Sequence, residues 1–274
     1  MLGVPYMGSK RKIASKLLDF IVINNPSCKY FYDLFGGGGA MSFAALKYSQ
    51  IERVHYNEIN TGVVELIKKI TKDGIPDIFF NWVTRDTFNA HKNTKDWYGG
   101  LVKTCWSFGN NQKDYIFGKN IEALKKEAHE YLMQNGYDGT QKTRIDLIKK
   151  FKLDKNIICN FQLQQLQQLE CLEQLERLEQ LELTNLSYEE VNIKTPIEET
   201  IIYIDPPYKN TKGYQEKVDF DKLTKWILNS PYKIYVSSYE YEELHEVTSI
   251  KHRCTLSSIK NNEVTEKLFC NRSD

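Results

Sequence analysis

The chain has 274 residues, of which 41% are hydrophobic, so it can bury the core of one large domain or of a core domain with an insertion. No apolar run reaches the roughly 18 residues of a membrane span, and the N-terminal residues lack a secretory apolar segment. Because its six cysteines form no CxxC pair and its five histidines are scattered, we expect free thiols in a reducing cytoplasm and no metal site.

The net charge of +1 conceals an uneven distribution. Residues 1–74 and 75–160 each carry a net charge of +4, whereas 161–200 contain nine acidic and only two basic residues. One acidic segment therefore masks a basic remainder, which is typical of a polyanion-binding protein with a solvated insert. An uneven surface charge without a role in binding is the alternative.

The first predicted helix runs from about residue 10 to 24, with Ser9 as its N-cap. Its first turn contains Lys10, Arg11 and Lys12, although the helix dipole favours acids at that end. These cations indicate an anionic ligand at the start of the helix, with solvated lysines as the alternative.

A strand over 30–35, a turn of four glycines over 36–39 and a helix over 40–48 follow in that order. This succession predicts the nucleotide-binding opening of a doubly wound α/β fold, in which glycines let a ligand approach the backbone. The glycines do not follow the GxGxxG spacing that diphosphates require. The turn therefore favours S-adenosylmethionine, a cofactor without phosphate, over a nicotinamide.

A second predicted strand, Arg53–Asn57, ends next to an acid, and a crossover helix continues from Thr61 to Lys72. The acid is Glu58, which lies 21 residues after Gly37, the distance at which a carboxylate on a second strand binds ribose hydroxyls.

Residues 75–160 lose the alternation of strands and helices and are rich in aromatic, amide and basic side chains. These residue types suit phosphate pairing, hydrogen bonds to base edges and wedging between bases. We therefore predict a nucleic-acid recognition insert, although each aromatic taken singly is more typical of a core. The candidate contacts are Trp106, Phe108, Asn110, Asn111 and Lys113.

Leucine recurs at every third position from 163 to 181, separated by glutamine and glutamate. The composition favours a helix, but a period of three does not line one helical face. We interpret 161–182 as a helical spacer or partner surface without a role in catalysis.

Residues Ile201–Ile204 predict a buried strand that ends at Asp205-Pro206-Pro207-Tyr208. Because a central strand excludes proline, the turn fixes Asp205 at the carboxyl edge of the sheet, where open α/β sheets bind ligands. An acid, fixed carbonyls and an aromatic ring form a site for a planar group that bears an amino group. An ordinary turn after a strand is the alternative.

The remaining chain predicts elements that complete the sheet. These are a strand from Leu183, a helix capped by Asp219 or Asp221 and ending near Asn229, a strand over Lys233–Ser237, and a hairpin of 253–259 with 267–270. We divide the chain into an N-terminal catalytic half (1–74), the recognition insert (75–160), the spacer (161–182) and a C-terminal catalytic half (183–274).

Taken in order, Tyr6 to Lys10, Phe35 to Gly39, Glu58, the insert and Asp205 to Tyr208 resemble the motifs of Dam-type (D12 class) DNA adenine-N6 methyltransferases, particularly the orphan enzymes of phages and prophages. The resemblance covers most of the chain. It implies a Rossmann-like, S-adenosylmethionine-dependent sheet with a mainly helical target-recognition insert. It also implies a cytoplasmic monomer or weak dimer, without a metal, that flips adenine out of double-stranded DNA and methylates N6 by direct in-line transfer.

The same resemblance implies a role for each motif. Tyr6 and Lys10 would hold the methionine carboxylate of the cofactor, and Phe35, Gly37 and Gly39 would line its site. Glu58 would bind both ribose hydroxyls.

The motif at the end of the strand would act on the base. Asp205, beside the cofactor, and the carbonyl of Pro206 would accept hydrogen bonds from the adenine amino group, while Tyr208 would stack on the flipped base. Ser187 lies where the family usually has Asp-Phe or Asp-Tyr near the cofactor adenine, so that contact does not carry over to it.

Several alternatives remain at this point. An RNA or cytosine-N4 methyltransferase would use a related tetrapeptide, and a non-catalytic DNA-binding protein would retain the fold. A nicotinamide oxidoreductase would leave the tetrapeptide without a function. Both an orphan enzyme and one paired with a restriction nuclease are consistent with the motifs.

Overall fold

The computed structural model describes residues 3–135, 150, 176–207, 218–253 and 263–272. Tyr208 and the leucine repeat up to residue 175 lie outside the described residues. Within them the helices are α1 (Ala14–Ile23), α2 (Ala40–Ala45), α3 (Thr61–Asp73), α4 (Arg85–His91), α5 (Trp97–Cys105), α6 (Glu122–Asn135) and α7 (Phe220–Asn229). The strands are β1 (Tyr30–Asp33), β2 (Arg53–Asn57), β3 (Leu181–Thr184), β4 (Thr200–Ile204), β5 (Lys233–Ser238), β6 (His245–Arg253) and β7 (Glu263–Cys270).

The seven strands form one sheet in the order β3-β2-β1-β4-β5-β7-β6. The first five are parallel, and β7 runs antiparallel between β5 and β6. This mixed sheet confirms the predicted Rossmann-like fold. Asp33 at the end of β1 pairs in register with Tyr56 of β2 and with Tyr203 of β4, so the carboxyl ends of the three strands meet at one edge.

The sheet is central because its strands are apolar on both faces. All five residues of β4 are buried, as expected of a parallel strand covered on both sides. Helix α3 places an apolar stripe against the core, and its face is made by Val63, Val64, Leu66, Ile67 and Ile70. Among the described residues, no helix is long and apolar enough to cross a membrane.

The described residues of the predicted insert, 75–135 and 150, form helices and turns, and none of them lies in a strand of the sheet. Helix α5 of the insert packs on α3 through two glycines: a Cβ built on Gly100 would lie 1.9 Å from the carbonyl oxygen of Gly62. A side chain at either position would separate the helices, so this pair of glycines fixes the insert against the sheet.

The first helix differs from the prediction. Lys10–Lys12 form one 3₁₀ turn, α1 begins only at Ala14, and Ser9 makes no capping hydrogen bond through its side chain. The physical reason is the burial of Lys10, whose side chain is 5% exposed and is directed into the interior instead of along a solvated helix face.

Two further boundaries also differ. Strand β3 begins at Leu181, so the end of the leucine repeat joins the sheet and the predicted strand start at Leu183 is two residues late. Arg177 directs the chain into β3 by donating hydrogen bonds to the carbonyl oxygens of Leu46 and Tyr48, just after α2. The partner of β7 is β6, which lies before most of the predicted 253–259 segment.

Candidate active site

Three carboxylates lie at the carboxyl edge of the sheet around the point where the strand order reverses. Asp33 ends β1, Glu58 follows β2 and Asp205 follows β4. Open α/β sheets bind their ligands at this point. All three side chains line a cavity of about 350 Å³. Other sequence-predicted residues that line it are Tyr6, Lys10, Phe35, Gly37 and Asn111.

The glycine turn packs tightly against the N-terminal segment. A Cβ on Gly38 would lie 2.3 Å from the carbonyl oxygen of Val4, and the amide of Val4 donates to Gly38. Gly37 has a φ of +48° and faces the ring of Tyr6. Gly39 is not among the residues that line the cavity and instead forms the N-cap of α2. The turn therefore brings Tyr6 to the cavity as well as leaving room for a ligand.

Glu58 is buried and fixed by two backbone donors. Its Oε2 accepts from the amide of Gly37 at 2.8 Å, and its Oε1 accepts from the amide of Asn60 at 2.9 Å. Each carboxylate oxygen has two acceptor positions. The two amides hold the carboxylate at the wall of the cavity, where hydroxyl groups are suitable donors to it.

Asp33 is a site residue that the sequence reasoning missed. Its Oδ2 accepts from Ser42 Oγ at 2.7 Å, while its buried Oδ1 has no hydrogen-bond partner. Burial, assisted by the charge of Asp205 and opposed by the Ser42 hydrogen bond, raises the pKa of Asp33 to about 7. The signal in the sequence was an acid at the end of a strand, three residues before the first glycine of the turn.

Asp205 forms an ion pair with Lys10. The ammonium lies 2.7 Å from Oδ1 and 2.8 Å from Oδ2 of the carboxylate. It also lies 3.4 Å from Oε1 of Glu266 on β7, a side chain only 2% exposed. Burial, assisted by the charge of Glu266 and opposed by Lys10, raises the pKa of Asp205 to about 6. Burial opposes the charge of Lys10, but Asp205 and Glu266 outweigh it and raise the pKa of Lys10.

Two amides that sequence reasoning gave no role hold the rim of the cavity. Asn57 donates to the carbonyls of Leu34 and Leu186, which ties the ends of β1, β2 and β3 together. Asn185 donates to the carbonyl oxygens of Glu58 and Ile59. The neighbouring Ser187 lines the cavity and forms a capping box with Glu190.

The loop after α5 borders the same cavity. It is closed by a bridge between Ser107 and Tyr115, and both Asn111 and Gln112 line the cavity. Gln112 accepts a hydrogen bond from Asn60, the residue that also holds Glu58. The loop thus connects α5 to the wall of the cavity.

Two of the predicted DNA contacts, Phe108 and Lys113, are exposed on that loop, whereas Asn110 is half-buried and its Oδ1 is buried. Phe108 is 63% exposed. Asn110 has a φ of +57°, a backbone conformation that is uncommon outside glycine. Asn111 accepts from the amides of Lys113 and Asp114 and so shapes the turn.

Trp106 requires a correction. We expected it to contact DNA, but its side chain is fully buried and packs against Trp82 and His129. A buried indole presents no surface to DNA, so Trp106 belongs to the core of the insert. An aromatic residue next to a recognition loop does not reveal by sequence alone which way it faces.

Comparison with known families follows this geometry. A family model described as D12 class N6 adenine-specific DNA methyltransferase matches residues 6–262. The chain belongs to this family. It is an S-adenosylmethionine-dependent enzyme that methylates adenine N6 in DNA. No curated protein matches the chain. Membership favours an adenine-specific DNA enzyme over an RNA or cytosine-N4 methyltransferase, a non-catalytic DNA-binding protein and a nicotinamide oxidoreductase.

The residues of this methyltransferase fit its cofactor. The cavity volume suits a nucleoside-sized ligand, and the oriented Glu58 carboxylate suits a ribose. The buried oxygen of Asp33 without a partner suits an ammonium group such as that of the methionine moiety. Among the described residues, no group of three or more His, Cys, Asp or Glu is arranged to hold a metal ion.

Proposed function

We propose that Asp205 and the carbonyl oxygen of Pro206 accept hydrogen bonds from N6 of an adenine flipped out of double-stranded DNA. The observation that carries this proposal is that Asp205 and Glu58 line one cavity, so that a base held by the first lies beside a cofactor held by the second. Tyr208 would stack on the extruded base, as the family resemblance implies. Stacking offsets part of the few kcal/mol that flipping costs.

When bound, S-adenosylmethionine would supply a methyl group activated by its sulfonium: the S–C bond breaks as the bond to N6 forms, neutral S-adenosylhomocysteine is left, and the positive charge on N6 is lost when its proton passes to solvent. Asp205 would act on that nitrogen. A carboxyl group with a pKa of about 6 is mostly ionised at neutral pH and accepts hydrogen bonds from a nitrogen that becomes more positive. Lys10 holds both carboxylate oxygens and so fixes the plane of the acceptor.

Other residues that line the same cavity would hold the cofactor. Glu58 would bind the ribose hydroxyls, and Phe35 and Gly37 would line the adenosine. Tyr6 and Lys10 would bind the methionine carboxylate, while Asp33 would bind its ammonium. This proposal is supported by the presence of all six residues in the lining of one cavity.

The loop formed by residues 107–115 would contact DNA next to the target base. Phe108 would wedge into the space that the base leaves, Asn110 and Asn111 would approach base edges or the backbone, and Lys113 would pair with a phosphate. Its support is an exposed aromatic ring and an exposed lysine on a loop that borders the active-site cavity.

Substitution of Asp205 by alanine tests the proposal. Transfer of a tritiated methyl group to duplex DNA should fall at least a thousandfold, on the order of the loss when one such group is removed from a preorganised site. Cofactor binding measured by calorimetry should remain within about threefold, because Glu58 is untouched. Asp221→Ala, an exposed acid in the first turn of α7, is the matched control. Full activity of the Asp205 variant would overturn the proposal.

A further inference from the structure

Glu266 is a buried acid to which neither the sequence motifs nor the proposed mechanism assigns a role. It lies on β7, four residues beyond the end of the region that the family model matches. Its side chain is 2% exposed, and its Oε1 accepts a hydrogen bond from Ser237 Oγ on β5 at 2.8 Å. A charged group in such a position needs a partner.

The partner is the ammonium of Lys10. Its nitrogen lies 3.4 Å from Glu266 Oε1 and within 2.8 Å of both oxygens of Asp205. One cation thus stands between two carboxylates, and the ion pair of Lys10 with Asp205 does not neutralise the group as a whole. The ammonium of Lys10 is therefore shared by two acids next to the position proposed for adenine N6.

We infer that Glu266 is a positioning residue of the methyl-transfer site, which shares the ammonium of Lys10 with Asp205 and so keeps the Asp205 carboxylate a strong hydrogen-bond acceptor. The inference rests on the proposed role of Asp205. A carboxylate that is fully neutralised by a lysine attracts a nitrogen with growing positive charge only weakly. The second acid weakens that neutralisation without touching the substrate.

The surroundings of Asp205 make Glu266 a distinct contributor. Among the described residues, the charged groups that act on the pKa of Asp205 are Lys10 from the first 3₁₀ turn and Glu266 from β7. Tyr203 on β4 and Asp33 on β1 also face this carboxyl group, whose charge raises the pKa of each. Lys10 lowers the pKa of Asp205, whereas the charge of Glu266 raises it. Removal of the Glu266 charge should therefore lower the pKa of Asp205.

The test compares Glu266→Gln with the wild-type enzyme in two measurements. In the free protein, ¹³C-aspartate NMR follows the titration of Asp205, whose signal is assigned by its loss in Asp205→Asn. The pKa should fall by about one unit on loss of the neighbouring charge. In single-turnover methyl transfer, the acid limb of the pH–rate profile should move down by a similar amount. The plateau should fall roughly tenfold, because a weaker base is a weaker acceptor.

Three further variants separate this role from a structural one. Glu266→Asp keeps the charge and should restore the wild-type pH profile. Ser237→Ala also keeps the charge but removes a hydrogen bond that holds the Glu266 carboxylate, so it should lower the pKa of Asp205 by less than Glu266→Gln does. Glu246→Gln, in an exposed pair with Lys267 on the neighbouring strand, is the matched control and should change nothing. If Glu266→Gln is poorly folded, the comparison of Glu266→Asp with Ser237→Ala still decides the question.

An unchanged Asp205 titration and an unchanged acid limb in Glu266→Gln would overturn the inference. Equal effects in the control would also overturn it. The proposed function fails in a different way. If the wild-type enzyme methylates DNA and Asp205→Ala does so equally well, Asp205 has no role, yet the NMR titration still reports whether Glu266 acts on its carboxyl group.

Discussion

The Nζ atom of Lys10 lies 2.7 Å from Oδ1 of Asp205 and joins residues that are 195 positions apart in the sequence. The pair closes the sheet edge by linking the N-terminal segment to the end of β4. Because Glu266 lies on the other side of the ammonium, the contact is part of a buried network instead of an isolated salt bridge. The chemistry that we propose for the base depends on this arrangement.

Lys10→Met should both destabilise the enzyme and alter its pH profile. The buried Glu266 and the partly buried Asp205 would lose their shared cation, and removal of one partner of a buried pair costs about 3 kcal/mol of unfolding free energy. The pKa of Asp205 should rise above about 6, because burial is then opposed by less positive charge, so the acid limb of methyl transfer should move to higher pH. Urea unfolding and single-turnover rates measure the two effects. Lys16→Met, an exposed position on α1, should change neither, and an unshifted limb in Lys10→Met would contradict the assignment.

Glu58→Gln should weaken cofactor binding and leave the chemical step nearly intact. The amide keeps one oxygen acceptor but loses the charge and meets a backbone N–H with its own donor, so we expect an increase in Kd of about 10- to 100-fold. At saturating cofactor, kcat should remain within a few-fold. Calorimetric titration with S-adenosylmethionine checks the first effect. Glu65→Gln, whose side chain pairs with Lys68 on α3, is the control, and an unchanged Kd for the Glu58 variant would remove Glu58 from the cofactor site.

Asp33→Asn should change how stability depends on pH. In the folded enzyme the pKa of Asp33 is about 7, above its ordinary value of 3.8. Between these values the folded state binds more protons than the unfolded state, so the Asp33 contribution makes stability fall as pH rises and then level off above about 7. The asparagine variant should lack this contribution and gain up to a few kcal/mol at pH 8 relative to pH 4. Urea unfolding at a series of pH values measures this difference. If the unfolding free energies of variant and wild type depend on pH in the same way, the raised pKa of Asp33 is contradicted.

The same Asp33 variant should bind S-adenosylmethionine more weakly, because it replaces an acceptor without a partner by a neutral amide. If Asp33→Asn is more stable than the wild type but binds S-adenosylmethionine more weakly, then Asp33 serves function at the expense of folding stability. Calorimetry at pH 8 provides this second reading.

Phe108→Ala should impair the action on DNA alone. Loss of an exposed ring that wedges beside the flipped base should lower kcat/KM for duplex DNA about tenfold, whereas the Kd for the cofactor should stay the same. Steady-state kinetics with a duplex substrate measure this loss. Ile23→Ala removes a side chain that is 77% exposed on α1 and serves as the control. Equal kinetics for Phe108→Ala and the wild type would mean that the loop at 107–115 does not contact DNA through this ring.

The sequence predicted those features whose signals are local. β2 was predicted at its observed bounds, and Asp219 caps α7 as expected. The glycine turn and the acid at the end of β4 also follow from rules on strand ends, so their meeting at one sheet edge was foreseeable. Family membership confirms the enzyme class that the order of motifs indicated.

Long-range pairing accounts for most of what was missed. The register that aligns β7 with β5 brings Glu266 to Lys10, and no local sequence pattern around Glu266 predicts this contact. Burial also decides between alternatives that composition leaves equal: Phe108 is exposed and Trp106 is buried, although only two positions separate them. A 3₁₀ turn forms at Lys10 instead of a regular helix because the carboxylates that pair with the lysine belong to the sheet: Asp205 follows β4, and Glu266 lies on β7.

The position of the transferred methyl group tests the central claim most directly. Duplex DNA would be incubated with a donor that carries a deuterated methyl group and with either the wild-type enzyme or Asp205→Ala, then digested to nucleosides and analysed by mass spectrometry. We predict deuterated N6-methyladenosine, as the deoxynucleoside, with the wild type and at least a thousandfold less with the variant. A label on cytosine, or equal labelling of adenine by both proteins, would contradict the claim that Asp205 holds the amino group of a flipped adenine.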